Sequence, residues 1–292
     1  MIVIFNPVAG PRRGALLDRV LARLEALGAA VELKPTACAG DATRIAAALE
    51  PPPDGLVVAA GGDGTLAEVA EGLLRNPAGA RLRLGVIPLG TANVLAHEIG
   101  LPRRPAAIVR TLLAGRAMPL HAGRIRAGTA PGRAFLMMAG AGFDAAVVAA
   151  VTPRLKRWCG KGAYLWHTLR LAASGRFPPI EMTIDGEPFR AASVVICNGR
   201  HYGGPYRLAP KADLSRPEFE VVLLEAAGGL RVLAQGVRLM LGTLHRAPGA
   251  RILTAREVEI LGSGPLQADG DLAARLPVRL AATADFLKLM IP

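Results

Sequence analysis

The sequence predicts an α/β unit followed by a mostly antiparallel β unit, and three observations predict it. Through the first third, short apolar runs alternate with stretches of helical periodicity. Near Met118–Gly123 that alternation gives way to strand-like segments separated by turn residues. The length of 292 residues suits one large domain or two ordinary ones.

The elements follow in order. Ile2–Phe5 reads as a buried strand. Leu16, Leu17, Val20, Leu21, Leu24 and Leu27 recur at helical spacing, with Gly28 as a stop. Val31–Lys34 is a short strand, and Asp41 to Leu49 a helix with Ile45 and Leu49 inward, ended by three prolines. Leu56–Ala60 is an apolar strand, Leu66–Leu74 a helix, Leu82–Pro88 a strand and Thr91 to Ile99 a helix. Strands alternating with helices imply a parallel sheet covered on both faces, with right-handed crossovers. A helix over Pro105–Leu113 closes this part. Beyond it the strand candidates are Arg124–Ala127, Ala134–Ala139, Ile180–Ile184, Ser193–Cys197, Phe219–Leu224, Ala250–Thr254, Val258–Leu261 and Val278–Ala281. Asp185-Gly186 is a hairpin signal, and one helical region, about Arg154–Ala173, interrupts the strands. The expected organisation is an α/β domain over 1–121 and a β-sandwich over 122–281. Whether about 282–292 returns to the first domain stays open.

Composition excludes several classes. Disorder does not fit 51% hydrophobic and 20% charged residues. Cys38, Cys159 and Cys197 are too few and scattered for a disulfide scaffold, and an odd count suits a reducing compartment. Met1 leads directly into an apolar strand with no secretory signature, and no stretch reaches the roughly 20 uninterrupted apolar residues of a membrane span. The expectation is a cytoplasmic protein. The net charge of +12 admits nucleic acid, an anionic lipid surface or phosphorylated small molecules as partners, or an Arg-rich composition without a partner. Aromatics are only 4% and no recognised nucleic-acid motif occurs, so no nucleic-acid partner is expected. The five His and three Cys show no ligand spacing, and no metal-ligating residue is assigned.

The strongest local signal is Gly61-Gly62-Asp63-Gly64-Thr65, between an apolar strand and a helix. Glycines allow close backbone approach and positive φ, and the helix N-terminus offers unpaired N–H groups to a phosphate. Asp63 could there hold Mg²⁺ or orient a hydroxyl. The alternative is a tight turn with Asp63 as N-cap. Two further polar loops follow strands, Asn6-Pro7-Val8-Ala9-Gly10 and Pro88-Leu89-Gly90-Thr91-Ala92-Asn93, at the edge where open α/β sheets bind ligands. Thr91 and Asn93 could equally cap their helix. No Walker loop and no protein-kinase signature occurs. Gly140-Ala141-Gly142-Phe143-Asp144-Ala145 fits the loose dinucleotide pattern, but it lies outside the alternating region and lacks the acidic residue about 20 positions on.

Taken together these residues resemble the diacylglycerol kinase / sphingosine kinase catalytic superfamily, in particular its soluble bacterial YegS-like lipid kinases. The resemblance runs nearly end to end. It rests on Asn6-Pro7 with Gly10, Gly40-Asp41-Ala42, Gly61–Thr65, Pro88–Asn93, Gly142-Phe143-Asp144, Asn198-Gly199-Arg200, Tyr202-Gly203-Gly204 and Asp269-Gly270-Asp271. The Gly61–Thr65 string alone is shared with NAD kinases. The resemblance implies a Rossmann-like N-terminal domain of the NAD kinase/diacylglycerol kinase type, a C-terminal antiparallel β-sandwich, and an active site in the cleft between them. It implies ATP as donor, Mg²⁺ as cofactor and a lipid hydroxyl, diacylglycerol-like or sphingoid-like, as acceptor. By position, Asn6, Thr36, Gly61, Gly62, Asp63, Gly64, Thr65 and Thr91 would be nucleotide contacts, with Asp63 catalytic or Mg-linked. Asp271 stands where the family places a Glu general base, a carboxylate one methylene shorter. Arg216-Pro217 replaces an Asp-Gly whose Asp helps hold a structural metal, so that site should be lost. His121-Ala122-Gly123 replaces an Asp-x-Gly at the domain junction.

The acceptor side is less legible. Arg154-Leu155-Lys156-Arg157-Trp158 through Lys161, Tyr164, Trp166 and Arg170 suits an anionic bilayer surface, or else a helix packed on the sandwich. His201, Tyr202 and Tyr206 fall in a loop that could border an acceptor pocket. An NAD kinase-like enzyme and a catalytically silent nucleotide- or lipid-binding protein are the alternative readings. A homodimer is possible, and the sequence does not decide the oligomeric state.

Overall fold

The computed structural model describes residues 1–7, 11–129, 132–150, 178–225 and 229–292. The expected helix at 154–173, with both tryptophans, lies outside the described residues, as does Cys159. The chain divides into two units, Met1–Ala122 with Ala284–Pro292, and Gly123–Thr283.

The first unit is built on a parallel sheet. Strand β1 (Ile2–Phe5) lies between β2 (Glu32–Pro35) and β3 (Leu56–Gly61), and β4 (Arg83–Pro88) pairs the far side of β3. Every residue of β3 is buried, as expected for a strand covered on both faces. Helix α1 (Pro11–Ala26) buries Leu16, Leu17, Val20 and Leu24. Leu27 is instead 66% exposed, a departure from its expected place on the buried stripe. The reason is the helix stop. Gly28 N–H donates to the Glu25 carbonyl and Ala29 N–H to the Leu24 carbonyl, with Gly28 at φ 73, a Schellman termination that swings Leu27 out. Helix α2 (Asp41–Ala48) buries Ala42 and Ala46, whereas Ile45 and Leu49 are only half-buried, so its inward face is rotated from the expected one. It lies against α3 (Asp63–Arg75). Gly72 of α3 makes this possible, because a Cβ there would collide with the Thr43 carbonyl and Ala46. Small residues at the crossing replace the large ones that periodicity favours. Helices α4 (Val94–Glu98) and α5 (Pro105–Ala114) follow.

The second unit is a sandwich of antiparallel strands. Two long strands contribute to both units: β5 (Arg116–Arg126) and β18 (Val278–Ile291). The last residues of β18, Lys288 and Leu289, pair in parallel with Arg83 and Leu84 of β4. In the second unit, β5 pairs β6 (Arg133–Phe135). Residues 278–281 of β18 pair β15 (Glu257–Ile260), which pairs β8 (Ile180–Ile184), then β9 (Glu187–Ala191). The opposing six-stranded sheet runs β14 (Ala250–Ala255), β13 (Phe219–Leu224), β10 (Ser193–Cys197), β7 (Met138–Gly142), β16 (Pro265–Ala268) and β17 (Asp271–Arg275). Alternate residues of both sheets meet in one core: Val194, Ile196, Phe219, Val221 and Leu223 against Met182, Ile184, Val258, Ile260, Val278 and Leu280. A small hairpin, β11 (His201–Tyr202) with β12 (Tyr206–Arg207), stands apart.

Two helices here were not expected from sequence. Helix α6 (Phe143–Ala150) lies against β7 and β16, and α7 (Gly229–Met240) packs near β12. The Asp185-Gly186 hairpin forms as expected, with φ 47 and 89, the two left-handed conformations of a type I′ turn.

Candidate active site

At the carboxyl ends of β3 and β4 the two glycine-bearing loops interlock. Helix α3 begins at Asp63, not near Leu66, so Gly62 is its N-cap and Gly64 and Thr65 lie in its first turn. Gly62 sits at φ −90, and neither Gly61, Gly62 nor Gly64 is among the glycines of positive φ. The expectation of left-handed glycines here is therefore corrected. What the positions require is closeness. A Cβ on Gly61 would stand 2.5 Å from the Thr65 side chain, and one on Gly90 would stand 2.5 Å from both Gly62 Cα and Asn93 Oδ1. The N–H groups of Leu89 and Gly90 donate to the Gly61 carbonyl at 2.8 and 3.1 Å.

Asp63 ties the two loops by its side chain. The backbone N–H of Val94, first residue of α4, donates to Asp63 Oδ1 at 2.7 Å. Asp63 thus caps the neighbouring helix, whose N-cap residue Asn93 makes no side-chain cap bond of its own. Asn93 takes a left-handed backbone, φ 48, and its Nδ2 donates to the Gly90 carbonyl at 2.7 Å. Its Oδ1 is buried without a hydrogen-bond partner. Burial pushes the Asp63 carboxyl above the ordinary aspartate value of 3.8, against the opposing pull of backbone N–H groups, Val94 first. Gly61, Gly62, Asp63, Pro88 and Asn93 line a crevice of about 10 Å³, room for about one water molecule.

The other expected nucleotide contacts stand along the same sheet edge. Asn6 N–H donates to the Ala60 carbonyl at 3.2 Å, and Thr36 N–H to the Phe5 carbonyl at 2.9 Å. The Thr36 loop is held by two carboxylates that sequence reading missed. Asp41 accepts from Ala37 and Cys38 N–H and from Arg44, and these bonds, Ala37 first, lower its carboxyl to about 2. Glu68 of α3 accepts from Gly40 and Ala42 N–H at 3.0 and 3.2 Å, capping α2 from another helix. No local pattern signals a cap whose partner lies 28 residues upstream.

In the second unit, Asp269-Gly270 is a two-residue turn with φ 51 and 86, joining β16 to β17 and placing Asp271 at the start of β17, opposite Ala268. The string is thus the turn of an acidic hairpin. Asp269 has a further task that the sequence did not reveal. Its carboxylate accepts from the N–H groups of Leu136, Met137 and Met138 at 2.8, 2.8 and 3.1 Å. Leu136 and Met137 are the break between β6 and β7, where one continuous strand was expected, and Met138 opens β7. Asn198 closes the same break, its Nδ2 donating to the Leu136 carbonyl at 2.8 Å. Asp271 is half-buried. His121 packs against Phe286 within the first unit, ring centroids 5.5 Å apart and planes tilted by 51°. Arg216 is exposed and pairs Glu218 at 3.0 Å. Among the described residues no group of three His, Cys, Asp or Glu comes together.

The chain thus carries a parallel α/β unit with interlocked glycine loops at its carboxyl edge and a β-sandwich unit. The family models agree with each half. Residues 1–125 match the diacylglycerol kinase catalytic domain, and residues 137–291 the YegS C-terminal NAD kinase beta sandwich-like domain. The chain belongs to the diacylglycerol kinase/YegS-like lipid kinase family, and it is a kinase. A diacylglycerol kinase of Bacillus subtilis (strain 168) is 32% identical over 241 residues, 81% of this chain and 76% of that protein. A protein named probable lipid kinase YegS-like from Pseudomonas aeruginosa is 39% identical over 190 residues, 63% of this chain and 59% of that protein. A crystal structure of a diacylglycerol kinase from Bacillus anthracis str. Sterne superimposes with a TM-score of 0.79 at 20% identity, covering all of this chain and 96% of that one. At that identity the likeness speaks to the fold.

Proposed function

We propose that the protein transfers the γ-phosphate of ATP to the hydroxyl of a membrane lipid alcohol, diacylglycerol-like or sphingoid-like. The interlock of Gly61–Asp63 with Leu89–Val94 carries this reading. It gathers close-packed glycines and a helix N-terminus at one sheet edge, the arrangement that receives a phosphate chain. Asn6, Thr36, Thr65 and Thr91 are the proposed contacts to the rest of the nucleotide. Magnesium fits this residue set in one way. The ion keeps mostly water and phosphate oxygens in its shell and needs only one or two carboxylates. Asp63 supplies one at the phosphate end, so the metal would arrive with the nucleotide and neutralise charge on the transferring group.

Phosphoryl transfer is mainly a matter of position and charge, with a base to take the acceptor proton. We assign that base to Asp271, which the Asp269 clamp holds at the head of β17. The acceptor would be met at an anionic membrane surface by a peripheral protein.

The test is phosphoryl transfer from labelled ATP to total lipid extract and, in parallel, to NAD, with products identified by mass spectrometry. A phosphorylated lipid supports the reading. A phosphorylated NAD would replace it with an NAD kinase activity, and nucleotide binding without either product would make the protein a silent binder. Asp271→Asn should remove most turnover with folding intact. Asp271→Glu, which restores the family's longer carboxylate, should keep or raise it, and unchanged rates in Asp271→Asn would overturn the assignment.

A further inference from the structure

Helix α7 carries a surface that the described residues of its own unit do not cover. Val237, Met240 and Leu241 stand at i, i+3 and i+4, so they share one face at the helix end. They are 57%, 67% and 71% exposed, whereas Val232 of the same helix is buried. A stripe of this kind on a helix already packed by its other side needs an apolar neighbour. Its flank gives the sign of that neighbour. Arg231 and Arg238 are seven residues apart, nearly two whole turns, and so fall within about 20° of each other beside the apolar stripe. Neither has an ion-pair partner among the described residues. Exposed Arg246 follows in the next turn. From residue 226 to 256 the sequence holds five arginines and no Asp or Glu.

From this arrangement we infer that the end of α7 is a membrane-docking element that inserts Val237, Met240 and Leu241 into an anionic bilayer while Arg231, Arg238 and Arg246 engage lipid headgroups. The inference rests on the lipid-kinase reading for its purpose, though not for its geometry. Apolar side chains on one face with cations at its edge are what an interfacial helix requires. The arginine stems can lie along the apolar boundary while the guanidinium groups reach phosphates. A protein partner of the same size would call for charges of both signs around the rim, and the charged residues of this rim are all cations. The site differs from the basic, aromatic stretch at 154–170 and would add to whatever that stretch does.

The experiment is vesicle co-sedimentation of the full chain, with phosphatidylglycerol/phosphatidylcholine vesicles and with phosphatidylcholine alone. V237S/M240S/L241S should lower partition at least about tenfold on both. R231Q/R238Q should lower it only on the anionic vesicles, by roughly fivefold per arginine, and should flatten the salt dependence. All five positions lie at the surface, and circular dichroism checks that each variant folds. Phosphorylation of vesicle-embedded diacylglycerol should fall with partition, while that of a short-chain, water-soluble diacylglycerol stays unchanged. Parent-like partition by the apolar variant would overturn the inference. So would a concentration-dependent dimer of the parent that the apolar variant abolishes, because the face would then belong to a second copy. Failure of the parent to phosphorylate any lipid would overturn the proposed function, and the partition data would still decide this inference.

Discussion

Asp63 holds two roles that pull its chemistry in opposite directions. Its carboxylate caps α4 through Val94, and that contact favours the charged form. Burial disfavours it more, and the folded carboxyl titrates above 3.8. Between the ordinary value and the raised one, the folded state binds more protons than the unfolded state. Stability therefore falls as pH rises through that window and stays lower above it. The expected outcome for Asp63→Asn follows. Phosphoryl transfer should drop at least about 100-fold, while the melting temperature at neutral pH stays level or rises. Below pH 3.8 the parent carboxyl is neutral as well, and any advantage of the variant should vanish. Melting curves across pH beside a kinase assay check both. Asp41 behaves in the opposite sense. Its carboxyl is lowered to about 2, so the stability it lends the Thr36 loop is present above 3.8 and lost as pH falls toward 2. An Asp41→Asn variant should remove that part of the acid dependence.

At the scale of elements, glycines and carboxylates set the joints. Gly72→Ala would drive a methyl group into the Thr43 carbonyl and Ala46, separating α2 from α3. The expected loss is about 1–3 kcal/mol by urea unfolding. Asp269→Ala would strip acceptors from three backbone N–H groups at the β6–β7 break. A loss of roughly 2–3 kcal/mol is expected, with Asp269→Asn milder because one acceptor oxygen remains. These joints also mark what the sequence could and could not disclose. Strands β3, β10 and β13 were legible because buried strands are continuous apolar runs of strand length. The Asp185-Gly186 turn was legible because type I′ geometry admits few residues. Helix α7 was not. Its apolar residues do recur at helical spacing, Leu230, Leu233, Ala234, Val237 and Met240, and that signal was passed over because the segment follows a strand within a stretch read as antiparallel sheet. The break between β6 and β7 was hidden because its cause, Asp269, lies 133 residues away. In the same way Gly61–Thr65 stood out in the sequence as a glycine loop between strand and helix, yet the bond from Val94 to Asp63 joins two loops whose mutual register only the fold supplies.

The whole molecule has two units whose sheets share chain in an unusual order. The sandwich completes its core from contiguous sequence, Gly123–Thr283, but the parallel sheet does not. It receives its last strand from the end of β18, where Leu287, Leu289 and Met290 are buried. Removing residues 284–292 should leave β4 with an open edge and an uncovered apolar strip. The expected result is aggregation on expression, with sedimentation of the truncated chain as the check. A soluble, cooperatively folded truncation would show that the pairing is dispensable. The same feature bears on biogenesis. On a ribosome, the α/β half emerges first yet must wait, one strand short, until the entire sandwich has been translated. Its unfinished flank is a place where a chaperone would have something to hold, and the order of synthesis makes completion of the parallel sheet a late event in the life of each molecule.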